Sequence, residues 1–274
     1  MKAAVILSVL LTFSLPSILT GMASDQKSAC ILPKGQTLLS GTYWSYSADK
    51  FWNSSGKKCS AYNEFDKFEY TFYLEYGLTC RDGISAKGTW GKIDESINGK
   101  TFGFGDVEIA WKHCLGTKWR HLVSMELLGI IPVEDKHKPG LRYGKYGGEV
   151  SLLASRGFCL WERKGSYDLR LGYRNYEGYP SDQIRADGQL NFFPFSRLQI
   201  SASGHLEYGL FNGNSRTDQS LFLLSPNYRL FRGQIEAVLC IWKGLSAFAG
   251  YHQHLWGRNV GTNGGFYGGA RAQF

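Results

Sequence analysis

The run at 68–76, FEYTFYLEY, limits the fold more than any other part of the chain. Phe68, Tyr70, Phe72, Leu74 and Tyr76 recur at period two, and Glu69, Thr71, Tyr73 and Glu75 lie between them. A helix would spread those bulky residues around its circumference, whereas a strand gathers them on one face. Two surroundings suit such a strand. In a soluble sandwich the aromatic row is core and the glutamates meet water. In a transmembrane barrel the aromatic row meets lipid and the glutamates face the lumen.

The pattern recurs. Ile84, Ala86, Gly88 and Trp90 oppose Ser85, Lys87 and Thr89; Val107, Ile109 and Trp111 oppose Asp106, Glu108 and Lys112. Val123, Met125 and Leu127 oppose Arg120, Ser124 and Glu126, and Val150, Leu152 and Ala154 oppose Glu149, Ser151 and Ser155. Leu169, Leu171 and Tyr173 oppose Asp168, Arg170 and Arg174; Ile184, Ala186 and Leu190 oppose Arg185, Asp187 and Gln189. Similar alternation marks 198–207 and 235–241. The final run, GGFYGGARAQF at 264–274, sets Phe266, Ala270 and Phe274 opposite Tyr267 and Arg271. Segments 35–47 and 245–256 alternate poorly and are placed by spacing. Twelve strands result, with 217–243 the hardest stretch to divide.

Connector lengths choose between the two surroundings. Long connectors at 48–66, 93–104 and 131–144 alternate with short ones such as 115–118, 194–196 and 243–244. Outer-membrane barrels alternate long external loops with tight periplasmic turns, and a sandwich has no reason to. The expected fold is therefore all-β: a closed antiparallel transmembrane barrel of about twelve strands. Closure leaves no unpaired edge and lets the last strand sit at the extreme C-terminus.

The N-terminus carries Lys2, an apolar run from Ala3 to about Leu15, and then Gly21-Met22-Ala23. This reads as a signal peptide at 1–23, followed by a short periplasmic leader at 24–34 and the barrel at 35–274. A lipoprotein signal would need a Leu before Cys30, and Gln26-Lys27-Ser28-Ala29 lacks it. The mean hydropathy of -0.25 conceals membrane strands that are only half apolar. The net charge of +8 becomes +7 once Lys2 is lost. With export and no nucleic-acid motif, that charge points to anionic solutes or lipid headgroups.

Several short motifs carry a resemblance. Pro33-Lys34-Gly35-Gln36, Glu75-Tyr76-Gly77-Leu78-Thr79, Gly105-Asp106-Val107-Glu108, Gly257-Arg258-Asn259 and the terminal Phe274 resemble the Xag-type outer-membrane proteins. They are similar also to the related barrels associated with meta-pathway phenol-degradation operons. The resemblance runs over about 33–274. It implies an outer-membrane protein assigned to transport, or to export and attachment of surface polysaccharide, with no catalytic residues to carry over. The six cysteines fall outside that pattern.

Candidate lumen-lining charges are Glu69, Glu75, Asp106, Glu108, Glu126, Glu149, Asp187 and Glu207 against Lys87, Lys112, Arg120, Arg170, Arg174, Arg185 and Arg271. They either select solutes in a water-filled passage or neutralise one another and plug it. Cys30, Cys80, Cys114, Cys159 and Cys240 lie near the periplasmic end and are candidates for disulfides of unknown pairing, whereas Cys59 sits in an outer loop. Two imidazoles at His252 and His254 are too few for a metal site, so neither metal nor cofactor is expected. Lys136, His137, Lys138, Arg142 and Lys145 form a basic loop patch facing lipopolysaccharide. For an enzyme, Ser203, His205 and Glu207 are the nearest set, but row-mates lie about 7 Å apart, so none is expected.

The expectation is an outer-membrane barrel of a Gram-negative envelope acting as a passive or weakly selective channel for small aromatic, apolar or anionic solutes. Its partners would be membrane lipid and lipopolysaccharide, the barrel-assembly machinery through the strand ending at Phe274, and the solute, with no nucleic acid. The competing reading is a component of exopolysaccharide export, attachment or biofilm that conducts nothing.

Overall fold

The computed structural model describes residues 28–95, 99–133, 141, 143–160, 162–213 and 225–274, without the side chains of 62 and 63. The signal-peptide reading, and the basic patch apart from Lys145, lie outside the described residues. The strands are β1 (Thr37–Trp52), β2 (Lys58–Gly77), β3 (Asp82–Glu95), β4 (Gly99–Phe104), β5 (Val107–Lys118), β6 (His121–Ile131) and β7 (Gly147–Leu160). They continue as β8 (Arg163–Tyr176), β9 (Gln183–Phe195), β10 (Leu198–Gly209), β11 (Arg229–Trp242), β12 (Leu245–Arg258), β13 (Val260–Gly261) and β14 (Gly264–Gln273). Strands β4 and β5 both pair with β3 and form one interrupted barrel strand; β13 and β14 both pair with β1 and form another. The result is a twelve-stranded, all-antiparallel barrel, with no helix among the described residues.

Closure is made by β1 and β14. Leu38 pairs with Gln273 and Ser47 with Gly264, and the Thr37 N–H donates to the Phe274 carbonyl at 2.8 Å. The seam is very tight. A Cβ at Gly265 or Gly269 would lie 1.9 or 2.0 Å from the carbonyl oxygens of Ser45 or Gly41, so only glycine fits.

The short turns gather at one end with Thr37 and Phe274, and the long loops at the other. In barrels of this kind those ends are periplasmic and external. Two boundaries differ from the sequence expectation. Residues 115–118 continue β5, and the turn is Trp119-Arg120. The connector at 48–66 is mostly strand, because β1 and β2 pair as far as Trp52 and Lys58. Alternation lapses there because the extended hairpin stands beyond the hydrocarbon, where neither face has to be apolar.

The outward row is the one that the alternation selects. Phe72, Leu171, Ile235 and Phe266 are each more than half exposed, forming a belt suited to lipid. Trp119 and Trp242 stand at the periplasmic rim, where aromatic girdles sit. Replacing Leu171 by Arg is expected to cost about 2–4 kcal/mol in vesicles, as a charge near mid-barrel does on the lipid face. Urea unfolding of the bilayer-inserted protein measures it, and a neutral outcome would mean that this row does not face hydrocarbon.

Candidate functional site

The inward rows bring most of the expected charges together as a network. Glu149, on β7, accepts from Arg170 at 2.6 Å, from Arg174 at 2.5 Å and from Arg185 at 3.5 Å. Arg170 also reaches Glu126 at 2.7 Å, and Arg174 reaches Glu108 at 2.9 Å, three strands away. Lys87 completes the Glu108 site at 3.1 Å, and Arg185 donates to Glu207 at 2.7 Å. His205 stands between Asp187 at 2.6 Å and Glu207 at 2.8 Å, and the Tyr228 hydroxyl also donates to Glu207. Separate pairs join Lys112 to Glu75 at 3.3 Å, Lys67 to Glu69 at 2.5 Å and Arg271 to Glu236 at 3.4 Å. Asp106 accepts from the Tyr143 backbone N–H at 2.9 Å.

The chemistry is that of internal neutralisation. Guanidinium forks suit carboxylates, and each good pair offsets the cost of burying its partner. Beside β6, β7 and β8 the lumen is filled by this packing, with Glu126 only 1% exposed.

Several expected sites fall elsewhere. Arg120 is exposed in the Trp119-Arg120 turn with φ of 68°, outside the lumen. The alternation places it inward only if β6 begins one residue earlier than it does. The five cysteines that were candidates for disulfides are free thiols in this structure, as is Cys59. Ser203 donates to Gln234 at 3.2 Å, and both ring nitrogens of His205 face carboxylates, so no serine–histidine pair is assembled. His205 and Glu207 nonetheless touch, because their long side chains lean together across the row spacing. His252 and His254 engage the backbone carbonyls of Ser45 and Gly261 at 3.1 and 3.0 Å, and no metal-ligating cluster occurs among the described residues.

Two features narrow the lumen at its ends. At the periplasmic end, residues 28–34 tuck against the inner wall instead of hanging free. The Ala29 N–H donates to Ser155 Oγ at 2.8 Å, and the Ser124 hydroxyl donates to the Ala29 carbonyl at 2.5 Å. Lys112 donates to the carbonyls of Ser28 and Cys30 at 3.2 and 3.4 Å, and Leu32 packs on Leu38 and Tyr73. At the external end Tyr143 packs edge-on against Tyr176 and Tyr179, with ring centroids 5.2 and 5.9 Å apart. Tyr228 packs beside them with Trp52, Leu230 and Val260.

Between these two ends lies a cavity of about 200 Å³, which Lys87 of the network also lines. One wall is aromatic: Trp44 stacks on Tyr267 at 4.3 Å, with Tyr46 at 6.0 Å from Trp44 and Phe248 at 6.5 Å from Tyr267. The opposite wall is polar, with Gln189, Ser201, Ser203 and Gln234. Arg232 and Arg271 lie among the rings, 5.7 Å from the Trp44 centroid and 4.1 Å from that of Phe248. Sequence reasoning did not single out Trp44, Tyr46, Phe248 or Arg232. The available signal was the failed alternation of β1 and β12, which put aromatic residues on both faces.

No family model matches the chain, and no curated protein matches it. Solved structures do. The COG4313 outer membrane channel from Pseudomonas putida F1 superposes with a TM-score of 0.72 at 14% identity, covering 92% of this chain and 100% of that one. The NanC porin gives a TM-score of 0.50 at 8% identity over 85% of this chain and 98% of that one. At such identities the likeness is one of fold. The chain has the architecture of an outer-membrane β-barrel, the class that its alternating rows and seam describe.

Proposed function

We propose that the protein is an outer-membrane channel for small solutes, with its lumen narrowed at both ends. The observation that carries this reading is the cavity inside a barrel whose wall charges are otherwise neutralised in pairs. A barrel serving only as an anchor has no use for an aromatic and polar chamber at its centre. The proposal includes export by a signal peptide cleaved after Ala23, and recognition of the strand ending at Phe274 by the assembly machinery. It also includes lipopolysaccharide around the external rim. The COG4313 neighbour, named as an outer membrane channel, supports the reading, as does the sequence resemblance to barrels of aromatic-degradation operons.

Purified protein in planar bilayers is expected to give discrete current steps. Liposomes containing it should swell in solutes of about one ring in size. Absence of steps together with tight liposomes would remove the channel and favour a non-conducting role in the surface envelope.

A further inference from the structure

Five charged residues line the cavity: Glu69, Lys87, Arg232, Glu236 and Arg271. Four of them have ion-pair partners, Lys67 for Glu69, Glu108 for Lys87, and Glu236 with Arg271. Arg232 forms no direct ion pair among the described residues: its guanidinium donates to the Tyr46 hydroxyl and lies in the field of Glu69, which Lys67 already pairs, while its Nε lacks a hydrogen-bond partner. The chamber and the groups paired to it therefore carry an excess of one positive charge, on Arg232 beside the indole of Trp44. A half-buried cation with no carboxylate of its own is poorly solvated, and a bound anion would offset that cost.

The size and walls narrow the class. An apolar cavity of about 150 Å³ takes up benzene, so a chamber of about 200 Å³ accommodates one ring and a small substituent. A ring can lie along Trp44, Tyr267 and Phe248, with offset or edge-on geometry favoured. The hydroxyls and amides opposite can solvate a polar head. A cation would be repelled by Arg232, and a neutral ring would leave it unmatched.

We infer that this cavity is a binding site for small aromatic carboxylates, with the carboxylate on Arg232 and the ring along the Trp44–Tyr267–Phe248 wall. The inference deepens the channel reading, since it names what would pause in the lumen on its way through. The site lies inside the barrel wall, so a bound acid would stand within the lumen.

Equilibrium titration of the detergent-solubilised protein, followed by calorimetry, tests it with benzoate, benzyl alcohol and acetate. Benzoate is expected to bind at least about tenfold more tightly than either, about 1.4 kcal/mol in binding free energy. Arg232→Gln should bring benzoate down to the level of benzyl alcohol, Arg232→Lys should keep part of the difference, and Trp44→Leu should weaken both aromatic probes. Wild-type protein that binds acetate as well as benzoate would show that the ring is not read. Wild-type protein that binds benzyl alcohol as well would show that the charge is not read. Either overturns the inference, whether or not the variants fold, as does Arg232→Gln binding benzoate normally. Binding without bilayer steps would sink the channel and leave the site standing; steps without benzoate binding would do the reverse.

Discussion

Glu149→Gln is expected to destabilise the barrel by about 3–5 kcal/mol, the usual cost of removing one partner from a buried ion cluster. Glu149 is the hub on which Arg170, Arg174 and Arg185 converge, and Ser151 donates to it at 2.6 Å. A glutamine keeps the shape and one carbonyl acceptor but leaves three guanidinium groups sharing too little negative charge. Equilibrium unfolding in urea from lipid vesicles measures the loss. The same variant should raise anion preference in bilayers, read as a shift in reversal potential under a salt gradient. A stability change below about 1 kcal/mol would mean that water in the lumen screens these charges as it does at a protein surface.

Deleting residues 28–34 is expected to raise single-channel conductance severalfold while leaving the barrel folded. The segment lies against the inner wall at the periplasmic mouth but contributes no barrel strand, and its hold rests on Ser124, Ser155 and Lys112. Those contacts are with the inner wall, so removing the segment leaves the strand ladder intact. Lys112→Met, which loses the bonds to Ser28 and Cys30 and the pair with Glu75, should give an intermediate conductance with more frequent transitions. Single-channel recording of the three proteins gives the ranking. Equal conductance in wild type and deletion would show that the constriction lies at the Tyr143, Tyr176 and Tyr228 end instead.

Much of the architecture was legible because a lipid-facing strand obeys a rule that acts residue by residue. Phe68 to Tyr76, Leu169 to Tyr173 and Ile235 to Ile241 declare their outward row without reference to any neighbour. The signal weakened where the inside of the barrel is not polar. In β1 and β12, Trp44, Tyr46 and Phe248 point into the lumen, so aromatic residues stand on both faces and period two disappears. Much of the chamber's aromatic wall thus comes from the two strands that were least readable, and for that reason.

Arg120 shows the other limit. Its parity matches Ser124 and Glu126, but the chain turns at Trp119 and Arg120 in left-handed backbone, which interrupts the row. Alternation gives the side a residue faces, not the point at which its strand begins.

The amino-acid sequence by itself determined a closed antiparallel barrel of about twelve strands and pointed to most of its inward charges, because each follows from local contrast between neighbouring side chains. Only the tertiary structure decided which charges meet and that residues 28–34 enter the lumen. It alone placed Arg232 beside an aromatic wall with no ion pair of its own among the described residues. Those outcomes depend on distances across the barrel, such as that joining Glu108 to Arg174, and no run of consecutive residues encodes a cross-lumen distance.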